Sequence, residues 1–280
     1  MKKLAVALMA ALALVTVVAL GAGLAIGMAG LGVVAVVDDV HLLPEGPAEG
    51  VQGRPWAAPV AADAEARRGL RADAYPHDCS VEKCVALTFD DGPGPHTDAL
   101  LKTLAAEKVR ATFFVLGEMV AERPEVLRRT AEAGHQIGNH TWDHKDLTGL
   151  TPAQVRSQLT RTSDLVERVT GRRPAVMRPP YGASDRKVAK EVAALGMPEV
   201  IWGVDPQDWR GMGADEVARK VLKEVQPGEI VLLHDIRKPS VAAMPRVIRT
   251  LKKRGYVFAT VSELLASAVV QPGAQYRRLV

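Results

Sequence analysis

Cysteine is scarce in this chain: Cys79 and Cys84 are the only two among 280 residues. With no second pair, a thiolate zinc site is disfavoured. Aromatics make up 4% of the chain, and no dense Lys/Arg stripe is interleaved with them. Nucleic-acid binding is therefore not expected. The formal charge of +4 is mild, and Lys2 and Lys3 supply part of it. No Glu follows His140, so the His-Glu-x-x-His pattern of zinc proteases is missing. Asp90 and Asp91 are adjacent, which disfavours a phosphatase of the Asp-x-Asp type.

Charge is absent from Leu4 to Val37, a run of mostly Ala, Val, Leu and Gly. That is longer than a secretory h-region and long enough to span a bilayer. Lys2-Lys3 before it and Asp38-Asp39 after it place the N-terminus inside and the remainder outside. Residues 1–37 thus read as a signal-anchor or transmembrane segment, although the small residues from Ala19 to Ala25 are also compatible with cleavage. The expected location is the cell membrane with the rest of the chain facing out, or secretion if the segment is removed. Residues 38–78, rich in Pro, Ala, Gly and Asp, read as an extracytoplasmic linker. An exported chain can oxidise Cys79 and Cys84. In a straight strand their Cα atoms would lie about 16 Å apart, too far for a bridge. A disulfide needs a turn between them, which Asp78, Ser80 and Glu82 permit; two separate buried thiols are the alternative.

From Val85 onward strands and helices alternate. Expected strands are Val85–Phe89, Ala111–Val115, His135–Asn139, Ala175–Met177, Glu199–Val204, Ile230–Leu233 and Tyr256–Ala259. Helices are expected between them, including a long amphipathic one opened by Thr151-Pro152 and ended by Gly171. The pattern predicts an α/β fold with a mostly parallel sheet over residues 79–268, then a loose tail at 269–280. The Asp90–Asp91 pair, His140, Arg178, Asp205 and His234 fall just past the C-terminal ends of five different expected strands. A barrel gathers such ends on one rim, so a closed or nearly closed barrel fits better than an open sheet.

The chemistry starts from Thr88-Phe89-Asp90-Asp91-Gly92. Adjacent carboxylates repel and stay ionised only where a cation or strong donors offset them. His140 and His144, in His-Thr-Trp-Asp-His, can complete a divalent-metal site with one of them. Taken singly, the Asp-Asp-Gly-Pro stretch could be a polar turn, and His-x-x-x-His has innocent explanations too. His77, His96 and His135 match no motif and read as structural or exposed.

Read in order, Thr88-Phe-Asp-Asp-Gly-Pro93, His140-Thr-Trp-Asp-His144, Arg178-Pro-Pro-Tyr-Gly182, Asp205-Pro-Gln-Asp-Trp209 and Leu232-Leu-His234 resemble the motifs of polysaccharide deacetylases. These form the NodB-homology domain of carbohydrate esterase family four. The resemblance spans about residues 79–268 and implies a distorted (β/α) barrel of seven or eight strands. It implies Asp91, His140 and His144 as metal ligands, with zinc the default and cobalt or manganese compatible. Asp90 matches the catalytic base, which Arg178 would hold ionised. Asp91 would then face the metal while Asp90 faces the attacking water. The oxyanion falls to the metal and the Tyr181 N–H. His234 matches the general acid, with Asp205 the first candidate for its carboxylate partner and Asp208 the second. Tyr181, Trp209 and Leu232 match substrate contacts, Trp209 and Leu232 as acetyl-pocket walls. Asp143 is a candidate support for a ligand imidazole.

The expected function is metal-dependent removal of N-acetyl groups from an extracytoplasmic glycan, with peptidoglycan amino sugars leading. Chitin oligomers and O-acetylated xylan are the alternatives, and a wall-glycan-binding module without catalysis is the alternative of another class. Expected partners are the acetylated glycan and, through residues 1–37, the membrane; the catalytic domain is expected to act as a monomer.

Overall fold

The computed structural model describes residues 77–279. The expected signal-anchor and nearly all of the linker lie outside the described residues. Among the described residues no helix is long and apolar enough to cross a membrane. At the leading edge the Asp78 carbonyl accepts the N–H groups of Val81 and Glu82, and its Oδ1 accepts the Ser80 N–H. This turn brings the Cα atoms of Cys79 and Cys84 to 5.4 Å, and the two are joined by a disulfide.

The central strand, β1 (Cys84–Gly92), is buried along nearly its whole length. It pairs in parallel with β5 (Ile230–His234) on one side, and with β2 (Thr112–Val115) and β6 (Val257–Phe258) on the other. β3 (Gln136–Asn139) extends the sheet beyond β2. Closure is made by single bridges: Asn139 to Met177, Met177 to Glu199, and Val204 to Val231. The segment leaving β4 (Glu199–Val200) therefore starts beside Met177 and ends beside β5, completing an irregular barrel.

Alternation along β1 sorts its side chains. Val85, Leu87 and Phe89 join the layer under the helices, packing with Phe113, Val231 and Leu233. Cys84 and Ala86 belong to a second cluster with Phe114, Val200 and Ile230. Each fully buried Leu or Phe contributes about 1.5–3 kcal/mol. The outer layer is built by α1 (Thr97–Ala106), α2 (Gly117–Glu122), α3 (Pro124–Glu132), α4 (Pro152–Thr170), α5 (Arg186–Ala194), α6 (Ala214–Glu224), α7 (Lys238–Lys253) and α8 (Val261–Leu264). α4 starts with a Thr151/Gln154 capping box and stops at Gly171, whose φ is 73°.

Three expectations need correction. The strand at Ala175–Met177 is reduced to the Met177 bridge, since Pro174 and Pro179 bracket it without N–H groups. The strand expected at Glu199–Val204 is regular only over β4. The tail is not loose: β7 (Gln275–Tyr276) pairs with β4, and the Leu279 N–H reaches the Gly228 carbonyl at 2.8 Å. A two-residue edge strand needs no apolar run, so composition conceals it.

Candidate active site

Regular alternation would send Asp90 inward and Asp91 outward with Phe89. The structure breaks that alternation with a bulge. β1 pairs Asp90 with Phe114 and then Gly92 with Val115, leaving Asp91 as the extra residue at φ 72°. Both carboxylates thereby reach the rim of the barrel. Thr141, His144 and Tyr181 are also non-glycine residues at positive φ, near 73°, 58° and 60°. Such conformations cost about 1–3 kcal/mol each and persist where the surroundings over-determine them.

The histidine loop shows those surroundings. Asn139 Oδ1 accepts the Thr141 N–H at 2.8 Å, and its Nδ2 donates to the Leu159 carbonyl and Ser163 hydroxyl of α4. Gln158 Oε1 accepts the Trp142 N–H at 2.8 Å. The imidazoles of His140 and His144 stand 5.0 Å apart, centre to centre. His140 Nδ1 lies 2.7 Å from the Arg178 carbonyl, which can only accept, so Nε2 keeps its lone pair. Burial, with the His144 and Arg178 charges, outweighs the pull of Asp91 and lowers the His140 pKa to about 3, which keeps the ring neutral.

Asp91 Oδ1 is 3.5 Å from Nε2 of both His140 and His144. It is buried and has no hydrogen-bond partner. Ligands held tetrahedrally at about 2.1 Å from zinc lie about 3.4 Å from one another. The spacing, the orphaned oxygen and the neutral His140 ring all fit a divalent cation. Asp143 does not support either imidazole: its carboxylate takes Gln158 Nε2 at 2.8 Å and Lys145 Nζ at 2.6 Å.

On one side of this triad, Asp90 Oδ1 accepts Arg178 Nη1 at 2.7 Å, and both side chains are fully or nearly buried. The guanidinium is also held by Thr88 Oγ1 and by the carbonyls of Val200 and Ile201, at 2.7, 3.1 and 3.0 Å. Its carbon lies 4.2 Å over the Phe114 ring. Burial raises the Asp90 pKa while Arg178 opposes it, which makes this carboxylate a better proton acceptor than an exposed one.

On the other side, His234 Nδ1 is 2.7 Å from Asp208 Oδ1. Asp208 Oδ2 accepts the His234 backbone N–H and the Ser240 hydroxyl. The partner is thus Asp208, not Asp205, whose Oδ1 accepts the Gln207 N–H at 2.8 Å. The reason is local: Gln207 at φ 61° folds the chain back, carrying the buried Asp208 under His234. Burial alone would lower the His234 pKa. The hydrogen bond and charge of Asp208, then Asp90 and Asp91, overcome it and hold the ring up to about 9.

These groups open on one cavity of about 460 Å³, lined also by Pro179, Tyr181, Trp202, Asp205, Trp209, Leu232 and Arg237. Tyr181 and Trp209 are exposed at 69% and 46%, and the Tyr181 ring packs on His144 at 4.7 Å. Trp202 and Arg237 carry no motif signal and were not foreseen. A larger groove of about 670 Å³ at the other end of the barrel, lined by Arg110, His135 and Glu263 among others, gathers no comparable set. His135 is structural, accepting the Ala111 N–H at Nδ1.

Residues 77–200 match the family model described as polysaccharide deacetylase. The chain is 44% identical over 197 residues to the peptidoglycan-N-acetylglucosamine deacetylase PgdA of Listeria monocytogenes, covering 70% of this chain and 41% of that one. It spans about two-fifths of that relative's length. With the chitooligosaccharide deacetylase of Bradyrhizobium it shares 38% identity over 195 residues, covering 64% of this chain and 89% of that one. A T48 deacetylase solved with substrate superposes with a TM-score of 0.69 at 42% identity, covering 71% of this chain and 99% of that chain. With its bulged aspartate pair, its two imidazoles and its buried His–Asp couple on one barrel rim, the chain belongs to the polysaccharide deacetylases of carbohydrate esterase family four.

Proposed function

We propose that this domain removes N-acetyl groups from peptidoglycan amino sugars in a metal-dependent hydrolysis outside the cytoplasm. The observation that carries the reading is the orphaned Asp91 Oδ1 between the His140 and His144 imidazoles, flanked by Asp90–Arg178 and by His234–Asp208. The substrate choice is supported by the peptidoglycan deacetylases among the relatives, and the location by the uncharged run at Leu4–Val37.

Asp91, His140 and His144 would hold the cation, with zinc favoured by the donor set over cobalt or manganese. When bound, a divalent cation supplies Lewis acidity at the acetyl carbonyl and lowers the pKa of the attacking water. Asp90 takes the proton from that water, and Arg178 keeps the carboxylate oriented and ionised beforehand. The Tyr181 N–H, which no group among the described residues accepts, donates to the developing oxyanion. His234, cationic through Asp208, protonates the departing amine and makes it a leaving group. Trp209 and Leu232 wall the acetyl methyl from water.

The test is acetate release from peptidoglycan, chitin oligomers and acetylated xylan by the zinc-supplemented protein. Asp91→Ala and chelation are each expected to abolish it. Full activity in either case would sink the mechanism, and binding of wall glycan without acetate release from any substrate would favour the non-catalytic module.

A further inference from the structure

Asp235 follows the catalytic imidazole, is wholly buried, and has no place in the chemistry above. Its Oδ1 has no hydrogen-bond partner. Its Oδ2 accepts the Thr97 hydroxyl, which in turn accepts the Gly94 N–H at 2.7 Å. A buried carboxylate is costly, and an apolar side chain would fill the same space more cheaply. Its position against the aspartate bulge gives the carboxylate a purpose.

The carboxylate lies directly on the Gly92 backbone: a Cβ at Gly92 would sit 2.3 Å from Asp235 Oδ2 and 2.4 Å from Oδ1. From the other side, the Leu116 N–H donates to the Gly92 carbonyl at 3.1 Å. One turn on, a Cβ at Gly94 would meet Ile236 Cγ2 at 2.5 Å. Residues 92–94 are thus clamped between α1, the start of α2 and the residues leaving β5. Asp91, in its left-handed conformation, sits between that clamp and Asp90, which is anchored by Arg178.

We propose that Asp235 is a positioning residue: acting through Thr97 and the Gly92–Gly94 turn, it holds the Asp91 carboxylate where the two imidazoles can share a cation with it. The proposal rests on the metal-site reading of Asp91, His140 and His144. Loss of the clamp lets the bulge relax toward regular alternation, which carries Asp91 away from His140 and His144. Supporting groups of this kind typically govern about 10- to 100-fold in metal affinity.

The experiment measures zinc affinity by competition with a chromophoric chelator, alongside thermal unfolding of the metal-free proteins, for wild type, Asp235→Ala, Asp235→Asn and Thr97→Val. Asp235→Ala and Thr97→Val are expected to weaken zinc binding about 10- to 100-fold. Asp235→Asn is expected to stay close to wild type, because its amide oxygen still accepts the Thr97 hydroxyl. Asp235→Ala and Thr97→Val proteins that melt earlier yet bind zinc as wild type does would overturn the proposal, leaving Asp235 a packing residue. Should Asp235→Ala fail to fold, Thr97→Val decides by the same readout. Absence of zinc binding in the wild type would remove the metal-site reading and this proposal together; unaltered affinity in both variants removes this proposal alone.

Discussion

Replacing Asp208 with Asn tests the acid half of the site with almost no change in shape. In the wild type, Asp208 Oδ2 serves two donors, the His234 N–H and the Ser240 hydroxyl, while Oδ1 faces His234 Nδ1. Asn has one oxygen. Kept on the two donors, it turns its NH2 toward Nδ1, which favours an accepting ring nitrogen and so the neutral imidazole. The wild-type ring is held up to about 9, and Asp208 is the largest influence raising it against burial. A cation on Asp91 would cancel the Asp91 share but leave the Asp208 share intact. Without Asp208, the ring falls to its ordinary value near 6.5 or below, a drop of about 2.5 units. At pH 8 the cationic fraction then falls from about nine-tenths to about one-thirtieth, so the rate drops about thirtyfold from ionisation alone. Near pH 6 both rings are mostly cationic and that factor approaches unity. Because the acid must be protonated, wild-type kcat is lost as pH rises through about 9, and in the variant about two units or more lower. Acetate release followed from about pH 6 to pH 10 gives the answer. A basic limb at the same pH in both proteins, or a loss independent of pH, would refute the assignment.

Arg178→Met leaves Asp90 as an uncompensated buried charge and is expected to cost about 3–5 kcal/mol in urea denaturation. Arg178→Lys restores the charge but not the fork that reaches Thr88, Val200 and Ile201, so it should recover part of the stability and little of kcat. Truncation after Val270 removes the acceptors of the Glu199 and Ile201 N–H groups, the Ala274 and Tyr276 carbonyls. The melting temperature should fall and kcat should drop more than KM changes, because the same segment carries the carbonyls that hold Arg178; an unchanged melting curve would contradict the role given to the tail.

Much of this arrangement is visible in the order of residues. The apolar run before Asp90 announces a strand buried on both faces, and reactive residues falling after successive strands announce a rim. What stayed hidden depends on backbone conformation that neighbouring letters do not encode. Asp205 ranks ahead of Asp208 as the partner of His234 until Gln207 is seen at φ 61° and Asp208 at 2.7 Å from Nδ1. Asp90 and Asp91 would point apart in a plain strand, and only the pairing register shows where the extra residue sits. Asn139 and Gln158 shape the histidine loop through backbone N–H groups, an effect without periodicity or spacing. Asp235 looks like one more polar residue after a strand, and its burial follows from contacts with Thr97 and Gly92, more than 130 positions earlier in the chain.

The strand order also carries a consequence for synthesis. Asp91, His140 and His144 all lie within about the first third of the described residues, whereas Arg178, Asp208, His234 and the edge strand β7 emerge later. A growing chain therefore contains all three candidate cation ligands before β5 can pair with β1, a contact bridging more than 140 residues. Folding rate falls as such long-range contacts come to dominate. Asp91, His140 and His144 are thus made before both His234 and Asp235, so the rim takes its final form only once β5 is in place.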